Sequence, residues 1–142
     1  MDEIKKQIVN RVHELYWKDD INCARTTLIC LGELFTTAIE SQTILSAVGL
    51  HGAGGYRAQC GLVEGSLMFM GIYLHKIGQT ENKIVSACRG FAKNFEEKFG
   101  SLRCKELRPN GFSRNDPPHL CEALTCESVI FAYQYIFRIA NS

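Results

Sequence analysis

The sequence contains no CxxC, CxH or HxxxH spacing anywhere in its 142 residues. The short-range signatures of zinc binding are therefore absent, and any metal site must draw its ligands from separate segments. No stretch alternates apolar and polar residues with period two, which argues against strands. The longest apolar run, Leu67 to Leu74, lies between Glu64 and His75. It is far short of the ~18 residues that a membrane span needs. The basic excess expected of a nucleic-acid binder is missing too: the formal net charge is +1 and the charges are interspersed. There is no nucleotide-binding signature, internal repeat, low-complexity tract or linker. The charged start, Met1-Asp-Glu-Ile-Lys-Lys, lacks the apolar region of a signal peptide. These absences lead us to expect one helical, cysteine-rich domain over residues 1–142. It is expected to be cytoplasmic, with no nucleic-acid partner and no membrane span.

What the chain does have is sulfur. Seven cysteines are many for this length, and the number is odd. In a reducing compartment a static disulfide framework is not expected. Cysteine richness there points to metal binding, catalysis or switchable disulfides.

One stretch stands out, His51-Gly-Ala-Gly-Gly-Tyr-Arg-Ala-Gln-Cys60, a glycine-rich loop running into an apolar helix over about 57–77. The N–H groups and dipole of a helix start favour a negative charge. A thiolate is such a charge, so Cys60 is expected to lose its proton more easily than an ordinary cysteine. His51 and Arg57 would add to that bias. Gly61 and Gly65 lie four apart on one face, each costing about 1 kcal/mol against alanine. Two such costs at helical spacing imply that another backbone packs closely there. Glu64, one turn from Cys60, would either take its proton or raise its pKa. A solvated Glu64 without a role is the third alternative.

The rest of the chain reads as further helices. Ile4, Ile8, Val12 and Tyr16 form an apolar stripe over residues 2–18. Asn22 is a candidate N-cap for a helix over about 23–39, which puts Cys23 in its first turn and Cys30 in the core. A short helix over 41–50 follows. Thr80 caps a helix over 81–99, where Cys88 lies on the apolar face. Ser101 caps a short turn that contains Cys104. Leu107 to Asn115 reads as an irregular, mobile loop. Asp116 and Pro117 start a last helix running to about Ala140. On it His119, Ala123, Cys126, Ile130, Tyr133 and Phe137 share one stripe. Cys121, five residues before Cys126, lies about 140° away around that helix, so the two cannot easily face one site.

Cys60-Gly61-Leu62-Val63-Glu64-Gly65 resembles the CGAxxG motif of the C_GCAxxG_C_C family, which is named for four cysteines and for redox activity. Asn22-Cys23-Ala24 resembles the segment of the first cysteine, Ser101 to Leu107 that of the third, and Cys126-Glu-Ser-Val129 that of the fourth. Leu62 replaces the motif alanine. Cys30, Cys88 and Cys121 are additional, and Cys121, also followed by Glu, competes for the fourth place. The resemblance implies a redox site of Cys23, Cys60, Cys104 and Cys126. Gly61, Gly65, Glu64, His51, Arg57 and His119 are expected to support it.

The expected architecture is an all-α bundle of four to five helices. The function expected first is thiol–disulfide or electron-transfer chemistry, as in a thiol-dependent oxidoreductase with a redox partner, and no cofactor. The first alternative binds zinc or an iron–sulfur cluster through the same four cysteines. The second is a helical interaction protein whose cysteines are core. The sequence leaves the substrate and the oligomeric state open, a homodimer included.

Overall fold

The computed structural model describes residues 1–108 and 119–142. The protein is all-α. Among the described residues eight helices occur: α1 Asp2–Trp17, α2 Cys23–Leu34, α3 Ser41–Ser46, α4 Gly52–Gly55, α5 Gly61–Lys76, α6 Glu81–Phe99, α7 Cys104–Leu107 and α8 Glu122–Ala140. The five long helices match the four to five expected. α3, α4 and α7 are short additions of six, four and four residues.

Local chemistry accounts for most of the boundaries. The Asn22 side chain accepts the Arg25 N–H at 3.0 Å and caps α2. Thr80 does the same for α6, and Gly100, left-handed at φ 92°, closes it. α2 stops at Leu34, earlier than its apolar pattern suggests. Thr36 adopts φ 50° there, and its neighbour's N–H turns back from Thr37 to the Gly32 carbonyl at 2.8 Å. This is the left-handed helix stop usually made by glycine. A side chain at Gly32 would stand 2.9 Å from the Thr37 oxygen and 2.8 Å from Ile39. α5 starts at Gly61 rather than near 57, because residues 59 and 60 are extended against residues 102 and 103. The helix start expected at Asp116 and Pro117, and most of the loop expected over 107–115, lie outside the described residues. α8 is described from Glu122, with Cys121 as its N-cap.

α2 and α5 pack most intimately, and glycine is the reason. A Cβ at Gly65 would meet the Ala24 carbonyl at 2.6 Å and Thr27 Cβ at 3.0 Å. The second backbone expected beside Gly61 and Gly65 is therefore that of α2. α1 and α8 lie together and close over α2, while α6 lies against α5 and α8. Ile8, Leu28, Leu31, Phe69, Met70 and Leu74 are fully buried. Phe91, Phe95, Phe99 and Phe131 form an aromatic cluster between α6 and α8, with ring centroids 4.5–6.2 Å apart. Among the described residues, no helix is long and apolar enough to cross a membrane.

Candidate functional site

The loop after α3 and the segment after α6 meet in a short antiparallel contact, a single bridge between Gln59 and Arg103. The Cys60 N–H donates to the Leu102 carbonyl at 2.8 Å, and the Cys104 N–H to the Ala58 carbonyl at 2.7 Å. In this register residues 58, 60, 102 and 104 share one face, and 59 and 103 the other. Cys60 and Cys104 are thus diagonal neighbours, about 7–8 Å apart by the spacing of such pairs. A disulfide needs Cβ atoms about 3.5–4.5 Å apart, so joining them takes a shift of a few ångströms.

The glycine loop holds Cys104 from the other side. Gly52 sits at φ 70°, where its missing Cβ would be 3.1 Å from Cys104 Cβ and 3.3 Å from Arg57 Cα. The Ala58 N–H closes the loop onto the Gly52 carbonyl at 3.1 Å. A left-handed run from Gly52 to Gly55 makes this curl.

Cys23 comes from the first turn of α2. Its sulfur would be 2.4 Å from a Cβ at Gly61, and the Leu50 oxygen 2.2 Å from it. The Cys-Gly step of the motif therefore has a steric meaning: Gly61 leaves the volume that the Cys23 sulfur fills, beside Cys60.

The fourth neighbour is Cys121, the N-cap of α8. Ionised Cys121 would repel thiolates at both Cys23 and Cys60. Cys104 bears on the same two. Cys126, favoured from sequence for the fourth place, has different neighbours. Its charge environment is set by Glu122 and Glu127, and it bears on Cys30. Cys121 and Cys104 thus act on Cys23 and Cys60, while Cys126 acts on Cys30. No disulfide joins any of the seven cysteines, all of which are described.

The expectation of an easily ionised Cys60 fails. Burial pushes its thiol up to about 12, with repulsion from Cys23 adding to the rise, although the Leu62 N–H favours the thiolate. Cys60 is only 5% exposed, and removing a thiolate from water outweighs a helix terminus. Burial likewise carries Cys23 to about 11, with Cys104 and Cys121 adding and the Ala24 and Cys23 N–H groups opposing. Cys104 is raised by burial too, but the Arg108 and Arg57 guanidinium groups pull it back. It is half-exposed.

The supporting residues divide. Gly61 and Gly65 set the α2–α5 approach. Arg57 acts on Cys104. Glu64 accepts a hydrogen bond from the Gln59 amide, which orients it toward the bridge segment. The His51 ring lies against its own turn, 3.9 Å from where a Gly55 Cβ would be. His119 packs on Tyr16 at 5.3 Å and on the edge of Trp17 at 4.7 Å, with Asp20 at 3.6 Å. It does not figure among the groups acting on Cys126.

In the sequence Tyr16 stands out only as part of an apolar stripe. Its hydroxyl pairs with Thr125 Oγ1 at 2.6 Å, both buried, and the Thr125 N–H donates to the Cys121 carbonyl at 2.8 Å. Burial raises the phenol above its ordinary value, and the thiols of Cys23, Cys121 and Cys60 add to that. The available signal was chemical: a tyrosine in a buried stripe needs a partner for its hydroxyl.

Among the described residues, no group of three or more His, Cys, Asp or Glu side chains is arranged to hold a metal ion. As placed, the four sulfurs have the ligand count of a tetrahedral site without its geometry.

The sequence profile of the C_GCAxxG_C_C family, described as "Putative redox-active protein", matches residues 21–135. No curated protein and no solved structure matches the chain.

Proposed function

The chain belongs to the C_GCAxxG_C_C family, whose profile spans most of it, and from that premise we propose that it exchanges electrons through a cluster of thiols at Cys23, Cys60, Cys104 and Cys121. The observation that carries this reading is the fit at Gly61, where the Cys23 sulfur fills the space of the absent side chain beside Cys60.

Cys104 is the entry thiol. It is half-exposed, and two arginines ease its ionisation. A thiolate, not a thiol, attacks a disulfide. The Cys104 thiolate bonds to one sulfur of an incoming disulfide, the old S–S bond breaks, and the leaving thiolate takes a proton from solvent. A second cluster thiol, Cys60 by its diagonal position, loses its proton and attacks the Cys104 sulfur. The second substrate thiol leaves and an internal disulfide remains. Two electrons pass from protein to substrate. Buried Cys60 suits the resolving step because it meets a sulfur already brought to it.

Reduced protein treated with a small disulfide should lose thiols in pairs, and peptide mapping should find Cys60 joined to Cys104. Cys104→Ser should abolish the loss. Cys121→Ser should change the pattern of pairs, and Cys126→Ser should leave it intact. Recovery of Cys60 and Cys104 as unmodified thiols would sink the proposal.

A second reading gives the same four sulfurs a metal ion or an iron–sulfur cluster. What favours it is the ligand count: four thiols from separate segments match a tetrahedral zinc site or an iron–sulfur cluster, in which the metal displaces the protons that burial holds on Cys23 and Cys60. The sulfurs would first have to move into ligand geometry. Metal analysis and a visible spectrum of anaerobically purified protein separate the two. Stoichiometric metal that Cys60→Ser abolishes would replace the dithiol reading.

A further inference from the structure

Thr26 on α2 and Ser128 on α8 are fully buried. Among the described residues, neither hydroxyl has a hydrogen-bond partner. A hydroxyl on a helix can turn back on its own backbone. Thr27 and Ser66 do so, donating to the carbonyls of Cys23 and Leu62 at 2.8 and 2.7 Å. Thr26 and Ser128 do not. Taking a hydroxyl out of water without a partner is unfavourable. Ordered water is the usual partner of such a group.

The two hydroxyls belong to one seam. Thr26 stands three residues after Cys23 and four before Cys30, so the three share a face of α2. Ser128 stands three residues after Thr125 and seven after Cys121, and these three share a face of α8. α2 and α8 pack on each other, and two contacts give their direction. At the end of α2 the Phe35 and Tyr133 rings meet at 5.2 Å. Near its start Tyr16, at the end of α1 and a short loop before α2, bonds to Thr125. The two helices therefore run the same way. Cys23 lies twelve residues before Phe35, and Cys121 twelve before Tyr133. In this register Thr26 is level with the turn of Thr125, and Ser128 with that of Cys30. The charge of Cys121 bears on Cys23 accordingly.

The Tyr16–Thr125 pair points the same way. Two hydroxyls bring two protons, and the bond between them at 2.6 Å uses one. The other needs an acceptor. A water between this pair and Thr26 takes that proton and donates one of its own to Thr26, which gives it the partners that buried water needs.

We propose that the seam between α2 and α8 is a binding site for buried water, held by Thr26, Ser128 and the Tyr16–Thr125 pair, and that this water ties α8 to α2 and so positions Cys121 against Cys23. The water site stands independently of any thiol chemistry, whereas its bearing on the cluster rests on the exchange reaction proposed above.

The sign of a stability change tests the water. Thr26→Val and Ser128→Ala keep the shape of the side chain and remove the hydroxyl. In a dry seam each removes an unbonded polar group, and the urea midpoint rises. In a hydrated seam each strands a water, and the midpoint falls. A fall is expected for both, and a high-resolution crystal structure should show water within hydrogen-bond distance of both hydroxyls. A rise for both, with no water in the crystal, overturns the site. The positioning role is read from disulfides formed on oxidation by hydroxyethyl disulfide. A Cys23–Cys121 pair should form in the wild-type chain, drop severalfold in Thr26→Val and recover in Thr26→Ser, which restores the hydroxyl. An undiminished yield of that pair in Thr26→Val overturns the positioning role. A lowered midpoint with no disulfide formed in any variant, the wild type included, keeps the water and overturns the reaction.

Discussion

Two helix contacts of the bundle are built on opposite principles. Between α6 and α8 phenylalanines interlock, and stability comes from filled volume. Between α2 and α5 the approach runs through Gly61 and Gly65, and stability comes from volume left empty so that a backbone and a sulfur can enter it. An added methyl group is harmful at the glycine contact, whereas a removed ring is harmful at the aromatic one. The proposed chemistry sits where side chains are missing.

The comparison breaks most visibly at Phe95, which is fully buried. Phe95→Ala should cost about 3–5 kcal/mol, read by urea denaturation, while Phe95→Leu should be far milder. Gly61→Ala should cost about 1–3 kcal/mol or more, because its Cβ would fall 2.2 Å from the Leu50 oxygen. Gly71→Ala, in the same helix with nothing within 4 Å of the new atom, should instead gain about 1 kcal/mol. If both glycines respond alike, helix propensity governs α5 and the close-packing account fails.

Next in size is Tyr16→Phe. It strips Thr125 of its buried partner and should cost about 1–3 kcal/mol, with a change in Cys121 alkylation rate that a purely remote lesion would not bring.

A further effect is alkaline. The thiols of Cys23 and Cys60 stand at about 11 and about 12 in the folded chain, against an ordinary 9.0. Between those values the unfolded chain has shed protons that the folded chain keeps, so stability falls as pH rises above about 9. Below that the contribution is fully present. Denaturation midpoints measured from pH 8 to 11 should decline, and replacing Cys60 with alanine should flatten part of the slope. A midpoint that holds steady through this range would contradict the burial of these sulfurs.

Legibility in the sequence followed the range of the interactions. α6 was readable to the residue, since Thr80, Gly100 and a 3.6-residue stripe are all local signals. The Asn22 cap and the pairing of Gly61 with Gly65 were equally plain. The start of α5 was hidden because Gln59 and Cys60 are fixed by Leu102 and Arg103, more than forty positions away in a 142-residue chain. The ionisation of Cys60 was misjudged for a related reason. A helix start is visible in a sequence, but the α2 face that buries it is not. The family pattern points to Cys126 for the fourth place, whereas Cys121 is the residue whose charge bears on Cys23 and Cys60. The sequence alone carries no local signal that chooses between them.

The crowding around the sulfur of Cys23 limits its own chemistry. Seated in the space that Gly61 leaves open, it is crowded on its α5 side against a bulky adduct such as an attached tripeptide. Another sulfur, or a single oxygen atom, is small enough to be accepted there without wedging α2 away from α5. A large electrophile that did capture this residue would prise the two helices apart, and labelling there would register as partial unfolding.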